Sequence, residues 1–298
     1  MSDVYHRTDV PLVVGVGEIL WDLLPDGPVL GGAPANFACQ ARRLGARAAI
    51  ISAFGADALG QQARHQLDLL GVDHSAIATV PEQATGTAAV TIGPHGEPAY
   101  RIAEPAAWDF IPPLPGAFQR VVSADAICYG SLAQRGAVSR ATIRAVIDAA
   151  SPGCIRVFDI NLRHPWIEPE AIVDLFERSN VVKLNESELD ALAEILDLRG
   201  DEGERIEQLA ARYRLRVVAL TKGSSGCRLF ADGQHVEHDG FPIEAVVDTV
   251  GVGDAFSAAL ILGLWQGLPL RAIAETSNRV AGQVCRQSGA SVSIGSLS

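Results

Sequence analysis

The sequence predicts an α/β fold: a doubly wound, mostly parallel sheet flanked by helices, with a small β-strand lid. Three observations carry this. Short apolar runs alternate with helical stretches closed by glycine, which is the rhythm of βαβ units. One stretch, 85–104, breaks that rhythm with two strands around a turn. The chain has 298 residues, 48% hydrophobic and 20% charged, enough to bury one large core.

The elements follow in order. "LVVGVG" is a short apolar run ending in glycine, as in a buried parallel strand. Residues 35–44, "ANFACQARRL", read as a helix stopped by Gly45, and "ARAAIISAF" as the next strand. "DALGQQARHQLDLLG" is a second helix, again ended by glycine. The hairpin "TGTAAVTIGPHGEPAYRIAE" belongs to the lid, and "FIPPLPG" is a proline-rich connector. Alternation then resumes, with strands at "DAICYG", "CIRVFDI", "NVVKL" and "LRVVALT" and helices between them. "GCRLFADGQHVEH" reads as another hairpin; two helices, from Asp254 and from about Leu270, end the chain. We read residues 1–298 as one domain, the lid being formed by segments about 20–31 and 84–105.

A net charge of -11 argues against a nucleic acid or an anionic membrane as partner. The N-terminus lacks the apolar core of a signal peptide, and no apolar run is long enough to span a bilayer. The five cysteines are scattered, with no CxxC pair, as expected of reduced thiols in a cytoplasmic protein.

The stretch "DTVGVGDAF", 248–256, places Gly251, Val252, Gly253 and Asp254 at the start of an apolar helix. Free N–H groups and about half a positive charge gather there, and glycine lets an anion come close. A plain turn with an acid at the helix start has the same spacing. The functional reading puts a carboxylate base next to an anion hole, which suits phosphoryl transfer to a hydroxyl. No Walker A pattern (GxxxxGK[ST]) occurs, so a P-loop kinase is excluded. "GVGEIL" imitates a dinucleotide fingerprint but has Leu20 where the third glycine belongs.

"GGAPANFA", 31–38, opens a helix with one polar residue, Asn36, among small ones; a tight loop explains it equally well. Asp22 follows the first strand, at the edge where open α/β sheets bind ligands, and a solvated loop acid would look the same. In "KLNESE", Asn185 and Glu188 have capping-box spacing, and both could also face a hydrated Mg²⁺ or nucleotide phosphates. "TKGSSG" is a glycine-rich turn that either cradles a nucleotide or starts a hairpin. His235 and His238 point to opposite faces of one strand and make no metal pair.

Taken together, these stretches resemble the ribokinase family of carbohydrate kinases, and its fructokinase-like branch. "GGAPANFA" and "DTVGVGDAF" are similar to the family's two signatures, while "KLNESE" and "TKGSSG" match its NxxE and TxGxxG stretches in the same order. "GEILWDLLP" and "FDINLRHPW" resemble fructokinase segments, so the likeness spans the chain. It implies a ribokinase-like fold and an ATP-dependent sugar kinase. Asp254 would be the base, with the backbone of Gly251, Val252 and Gly253 as the anion hole. Asp22, Gly32 and Asn36 match sugar-binding positions, and Arg101 and Arg163 are further candidates for substrate or phosphate. Asn185 and Glu188 match Mg²⁺ and phosphate positions; Thr221, Gly223 and Gly226 match nucleotide positions, with Asn278 near the adenine. A K⁺ or similar ion would sit by Asp248 and Val250, with Val284, Gln287, Gly289 and Ser293. Two departures stand out: Val252 replaces the usual alanine, and the lid stretch 97–111 differs from familiar fructokinases.

The expected acceptor is fructose or a related ketose. Ribose, 2-keto-3-deoxygluconate or a nucleoside would use the same fold. Few lid aromatics disfavour a nucleoside, whereas Arg101 and Arg163 could clamp a keto acid. A silent sugar- or nucleotide-binding regulator is the reading from another class, and the presence of Asp254 with both glycines opposes it. The likeness also allows a homodimer that pairs through the lid.

Overall fold

The structure is a computed structural model, and it describes residues 9–24, 27–92, 98–243 and 248–286. In chain order, β1 (Leu12–Val16) leads into β2 (Leu20–Leu24) and β3 (Gly27–Gly31), then α1 (Ala33–Arg43), β4 (Arg47–Phe54), α2 (Ala58–Leu70) and β5 (Ile77–Thr79). Next come β6 (Gly86–Ile92), β7 (Pro98–Ile102), α3 (Pro115–Val122), β8 (Ala126–Tyr129), α4 (Ala137–Asp148) and β9 (Ile155–Asp159). They are followed by α5 (Pro169–Arg178), β10 (Val181–Asn185), α6 (Glu186–Leu196), α7 (Glu202–Tyr213) and β11 (Val217–Thr221). The last are β12 (Cys227–Ala231), β13 (Gln234–His238), α8 (Val252–Gln266) and α9 (Leu270–Val284).

Nine of these strands form one sheet in the order β13-β12-β11-β10-β9-β8-β1-β4-β5. The pairs from β11 through β5 are parallel; β12 and β13 add antiparallel at one edge. Both faces are covered, so the central strands are continuous apolar runs: all five residues of β1 are buried. From β1 the chain first builds outward to β4 and β5, then returns to β8 on the other side of β1. That reversal opens a crevice at the carboxyl ends of the strands, where doubly wound sheets hold ligands.

Helix α8 carries the least polar surface. Its residues Ala255 to Gly263 are all buried, as expected of a helix that is apolar all round. It packs between α1 and α9. Helix α1 in turn lies so close to β1 that a β-carbon on Gly15 would overlap the Pro34 carbonyl. Hence the glycines of "GVGEIL" serve helix–strand packing. A second sheet, β3-β2-β6-β7, stands over the crevice. Its strands β2 and β6 are parallel, and each is flanked by an antiparallel neighbour.

The doubly wound sheet matches the expected fold class, with local differences. Helix α1 starts at Ala33 rather than residue 35, because Pro34 occupies an early helical position where its missing N–H costs nothing. Helix α8 starts at Val252, two residues before Asp254. The proline-rich connector contains α3, with Pro115 at its first position. The three-residue strand β5 is too short to show a period of its own.

Candidate active site

A cavity of about 450 Å³ lies where the carboxyl ends of β1, β9, β10 and β11 meet the N-termini of α1 and α8. Both helices present their free N–H groups and positive dipole ends to it. The second sheet closes one side through Asp22, Ala88 and Ile102.

At the start of α8, Gly251 is the N-cap residue with φ 76°, in the left-handed region that glycine enters without strain. Among the described residues no side chain caps this helix, and the Val252 amide approaches the Thr249 carbonyl at a long 3.4 Å, so the first turn stays open to a ligand. Asp254 sits in the first turn, and its Oδ2 accepts a hydrogen bond from Asn36 Nδ2 at 2.9 Å. Withdrawal from water, with Asp159 adding to it, pushes the Asp254 carboxyl up to about 7; the Asn36 bond, Lys183 and Arg163 oppose that. A carboxyl poised near neutrality beside a bare helix terminus can take a proton from a hydroxyl while an anion is held nearby.

Of the residues expected at the sugar, Asp22, Gly32, Asn36 and Arg163 all line this cavity. Asp22 is buried, and burial pushes its carboxyl up to about 6, with Asp248 contributing and Arg163 opposing. Arg101 is not brought in. It pairs with Ala89 across β6 and β7, whereas the cavity is faced by their neighbours Ala88 and Ile102. Side chains alternate along a strand, so Arg101 lies on the opposite face of the second sheet, in a shallow cleft with His164 and Trp166.

Among the nucleotide expectations, Asn185, Thr221 and Gly223 line the cavity, but Glu188, Gly226 and Asn278 do not. Asn185 and Glu188 form a full capping box for α6: Asn185 Oδ1 accepts from the Glu188 amide, and Glu188 Oε2 from the Asn185 amide, each at 2.9 Å. Glu188 Oε1 accepts the Leu162 amide at 3.1 Å. Gly226, at φ 83°, lets the chain pass the His238 carbonyl. Asn278 is buried on α9 and donates to the Ala274 carbonyl and Cys227 Sγ.

Asp248 Oδ1 accepts the Val250 amide, while the Asp248 amide approaches the Cys285 carbonyl at 3.4 Å. This brings Asp248 and Val250 to the end of α9, where Val284 is buried. Gln287, Gly289 and Ser293 lie outside the described residues. Among the described residues, no group of three or more His, Cys, Asp or Glu could form a metal cage.

Sequence reasoning missed several cavity residues. Glu18, two residues after β1, is 1% exposed, and among the described residues its Oε2 has no hydrogen-bond partner. Burial pushes its carboxyl up to about 7, with Asp254 adding to the shift. Lys183, in β10, also lines the cavity and pairs with buried Asp159 at 3.1 Å. Asn161 lines it at φ 44°, a left-handed conformation uncommon outside glycine. A charged residue inside "NVVKL" was the available signal for Lys183, since a lysine buried in a central strand needs a partner.

Comparison with known proteins gives the family and the fold. The pfkB family carbohydrate kinase model matches residues 28–296. A fructokinase of Klebsiella pneumoniae is 31% identical over 285 residues, covering 91% of this chain and 90% of that protein. Probable fructokinase-3 of Arabidopsis thaliana is 30% identical over 269 residues, covering 84% and 76%. An uncharacterized sugar kinase from Pyrococcus horikoshii, solved in complex with ATP, superposes with a TM-score of 0.79 at 27% identity, covering 94% of each chain. A Vibrio cholerae fructokinase, solved with fructose, ADP and calcium ion bound, shares the fold with a TM-score of 0.82 at 24% identity, covering 95% of this chain and 96% of that one.

Proposed function

The chain belongs to the pfkB family of carbohydrate kinases, and from that membership we propose that it transfers the γ-phosphoryl group of ATP to a primary hydroxyl of fructose or a closely related ketose. The observation that carries this reading is Asp254, held by Asn36 in the first turn of an uncapped helix at the bottom of the cavity. The fructokinases among its relatives favour the ketose.

In this reading Asp22, Gly32 and Asn36 hold the sugar hydroxyls, and Arg163 faces substrate or phosphate. Asp254 takes the proton as the hydroxyl oxygen bonds to the γ-phosphorus and the bond from that phosphorus to ADP breaks. The amides of Gly251, Val252 and Gly253 bind the charge that develops, each such donor being worth about 3–4 kcal/mol. Thr221 and Gly223 lie on the nucleotide side. The four-stranded sheet of segments about 20–31 and 84–105 serves as a lid that keeps water from the phosphoryl group.

The oxygen donors suit a hydrated Mg²⁺ better than a protein-built cage. Asn185 lines the cavity wall, but its Oδ1 already accepts from the Ser187 hydroxyl and the Glu188 amide; Glu188 keeps a lone pair on each carboxylate oxygen beyond its two backbone bonds. Glu188, set behind that wall, would hold the ion through water, and when bound it neutralises phosphate charge. Asp248, Val250 and Val284 would border a monovalent cation in this reading, the Asp248 amide facing the Cys285 carbonyl at the end of α9.

The test is ADP release with ATP, Mg²⁺ and K⁺ against fructose, tagatose, ribose, glucose, 2-keto-3-deoxygluconate and adenosine. Fructose or tagatose should give the highest kcat/KM. A clear preference for the keto acid would reassign the acceptor and point to Arg163. ADP release that no acceptor raises, from protein that still binds ATP, would favour a regulator.

A further inference from the structure

We infer that Lys183 is a catalytic residue of the phosphoryl transfer, its buried ammonium meeting the transferred group from beneath Gly253. The inference rests on the kinase reading above and adds to it a residue outside both signatures.

The placement begins with the sheet. Lys183 stands in β10, in register with Asp159 of the neighbouring parallel strand β9. Its side chain is 9% exposed and that of Asp159 5%. Asp159 Oδ1 accepts from Nζ at 3.1 Å, and Oδ2 accepts from Ser257 Oγ of α8 at 2.8 Å. The carboxylate is therefore fixed from two sides and fixes the lysine in turn. An ammonium has three N–H groups, and among the described residues Asp159 is the hydrogen-bond partner of this one.

The contact with α8 locates the charge. A β-carbon on residue 253 would stand 2.9 Å from Lys183 Nζ. Gly253 has ordinary helical backbone, so conformation does not call for glycine there, and the distance shows how closely the ammonium approaches this turn. The charge consequently lies against the same turn whose amides face the cavity, and Lys183 is itself part of the cavity wall. Burial works against the positive charge, but Asp159, then Glu188 and Asp254, hold the proton on.

Fold stability gives little reason for this pair. A buried ion pair replaced by well-packed apolar residues is often neutral or better, and the neighbours Val181, Val182 and Leu184 in β10 are apolar. Phosphoryl transfer gives a reason. As the acceptor oxygen bonds to the γ-phosphorus and the bond to ADP breaks, negative charge is spread over the three equatorial oxygens. A fixed cation in a dry site is worth most against charge of that kind.

The experiment compares wild type with K183M, K183R and the double variant K183M/D159N, which removes the pair together so that no buried charge is left alone. Each is assayed for kcat, KM for ATP and for the acceptor, ADP affinity and Tm. K183M is expected to lose 100-fold or more in kcat, with both KM values and ADP affinity within about fivefold of wild type. K183R should regain at least tenfold of that loss. The double variant should keep a Tm within a few degrees of wild type and remain as slow as K183M. A double variant with wild-type kcat overturns the inference, as does a loss confined to Tm or to KM. A wild type that binds ADP yet phosphorylates no acceptor overturns the kinase reading itself, and the inference with it.

Discussion

Asn36 and Asp254 lie 218 residues apart in the chain, yet Asn36 Nδ2 donates to Asp254 Oδ2 at 2.9 Å. The bond crosses from the first turn of α1 to the first turn of α8, two helix N-termini that share one cavity. It stabilises the ionised carboxylate and so lowers the pKa of a group that burial drives upward. The asparagine therefore favours the ionised carboxylate near neutral pH, the form that the proposed base needs.

Asn36→Ala removes that bond and should move the acidic limb of the kcat/KM profile to higher pH, by up to about one unit. At pH 7 the loss should be up to about fivefold, shrinking at pH 9 where Asp254 is largely ionised in both proteins. A profile that falls without shifting would assign Asn36 to the sugar alone.

Asp254→Asn keeps the shape and removes the base. The expected loss in kcat is about 10²–10⁴-fold, with ATP affinity nearly unchanged. Wild-type activity should fall as pH drops below about 7, since Asp254 must be ionised to accept a proton and its carboxyl titrates there. Rate measurements from pH 5.5 to 9 on both proteins check this, the variant losing that acidic limb.

The parallel sheet was legible because each strand is a short apolar run and glycine ends the early helices, two signals that need no partner to be seen. The proposed base and anion hole could be read for a similar reason: Gly251, Val252, Gly253 and Asp254 are contiguous in the chain. Arg101 shows where that reasoning stops. Its register with Ala89 turns it to the far face of the second sheet, and strand pairing across a loop is not written in local spacing. Glu188 and Asn185 were each given a bland and a functional reading, and the capping box is present. Lys183 was missed because its role depends on Asp159 and Gly253, which come from other elements.

Gly251→Ala tests the helix terminus itself. The left-handed conformation at φ 76° costs an alanine roughly 1–2 kcal/mol, so Tm should drop by a few degrees. A relaxed backbone would also tilt the amides of the anion hole, and kcat should fall more steeply than stability. Calorimetry and initial rates on one preparation separate the two effects.

Arg135 should anchor the second sheet. Its Nε and Nη2 donate to Asp109 at 2.8 and 2.9 Å, and Nη2 also to the Ala103 carbonyl just beyond β7 at 2.6 Å. The guanidinium lies 4.0 Å from the Trp108 ring centre and 4.6 Å from that of Trp166. With side chains 3% and 6% exposed, breaking the pair by Arg135→Ala should cost about 3–5 kcal/mol and raise the acceptor KM. The exposed Arg205–Asp190 pair makes the contrast: Arg205→Ala should cost under about 1 kcal/mol and leave KM alone. Equal losses in the two variants would remove the anchoring role.

Glu18→Gln should make the ligand-free protein more stable, and the gain should grow with pH. Glu18 is 1% exposed and takes backbone hydrogen bonds from its own amide and that of Ala33, while among the described residues Oε2 has no partner. Burial raises its carboxyl from 4.5 to about 7. Between those values the folded protein keeps the proton and the unfolded chain releases it, so stability is full below about pH 4.5 and declines as pH rises through 7. A shift of that size corresponds to ~3 kcal/mol. Glutamine stays neutral throughout and escapes the decline. Asp22 and Asp254 decline in the same direction in both proteins, so the difference between variant and wild type isolates Glu18. Thermal denaturation without ligands at pH 4.5 and 8 should show nearly equal Tm values at the lower pH and a higher Tm for the variant at the upper one. A gap that stays constant with pH would mean that Glu18 is ionised in the folded protein over the whole range.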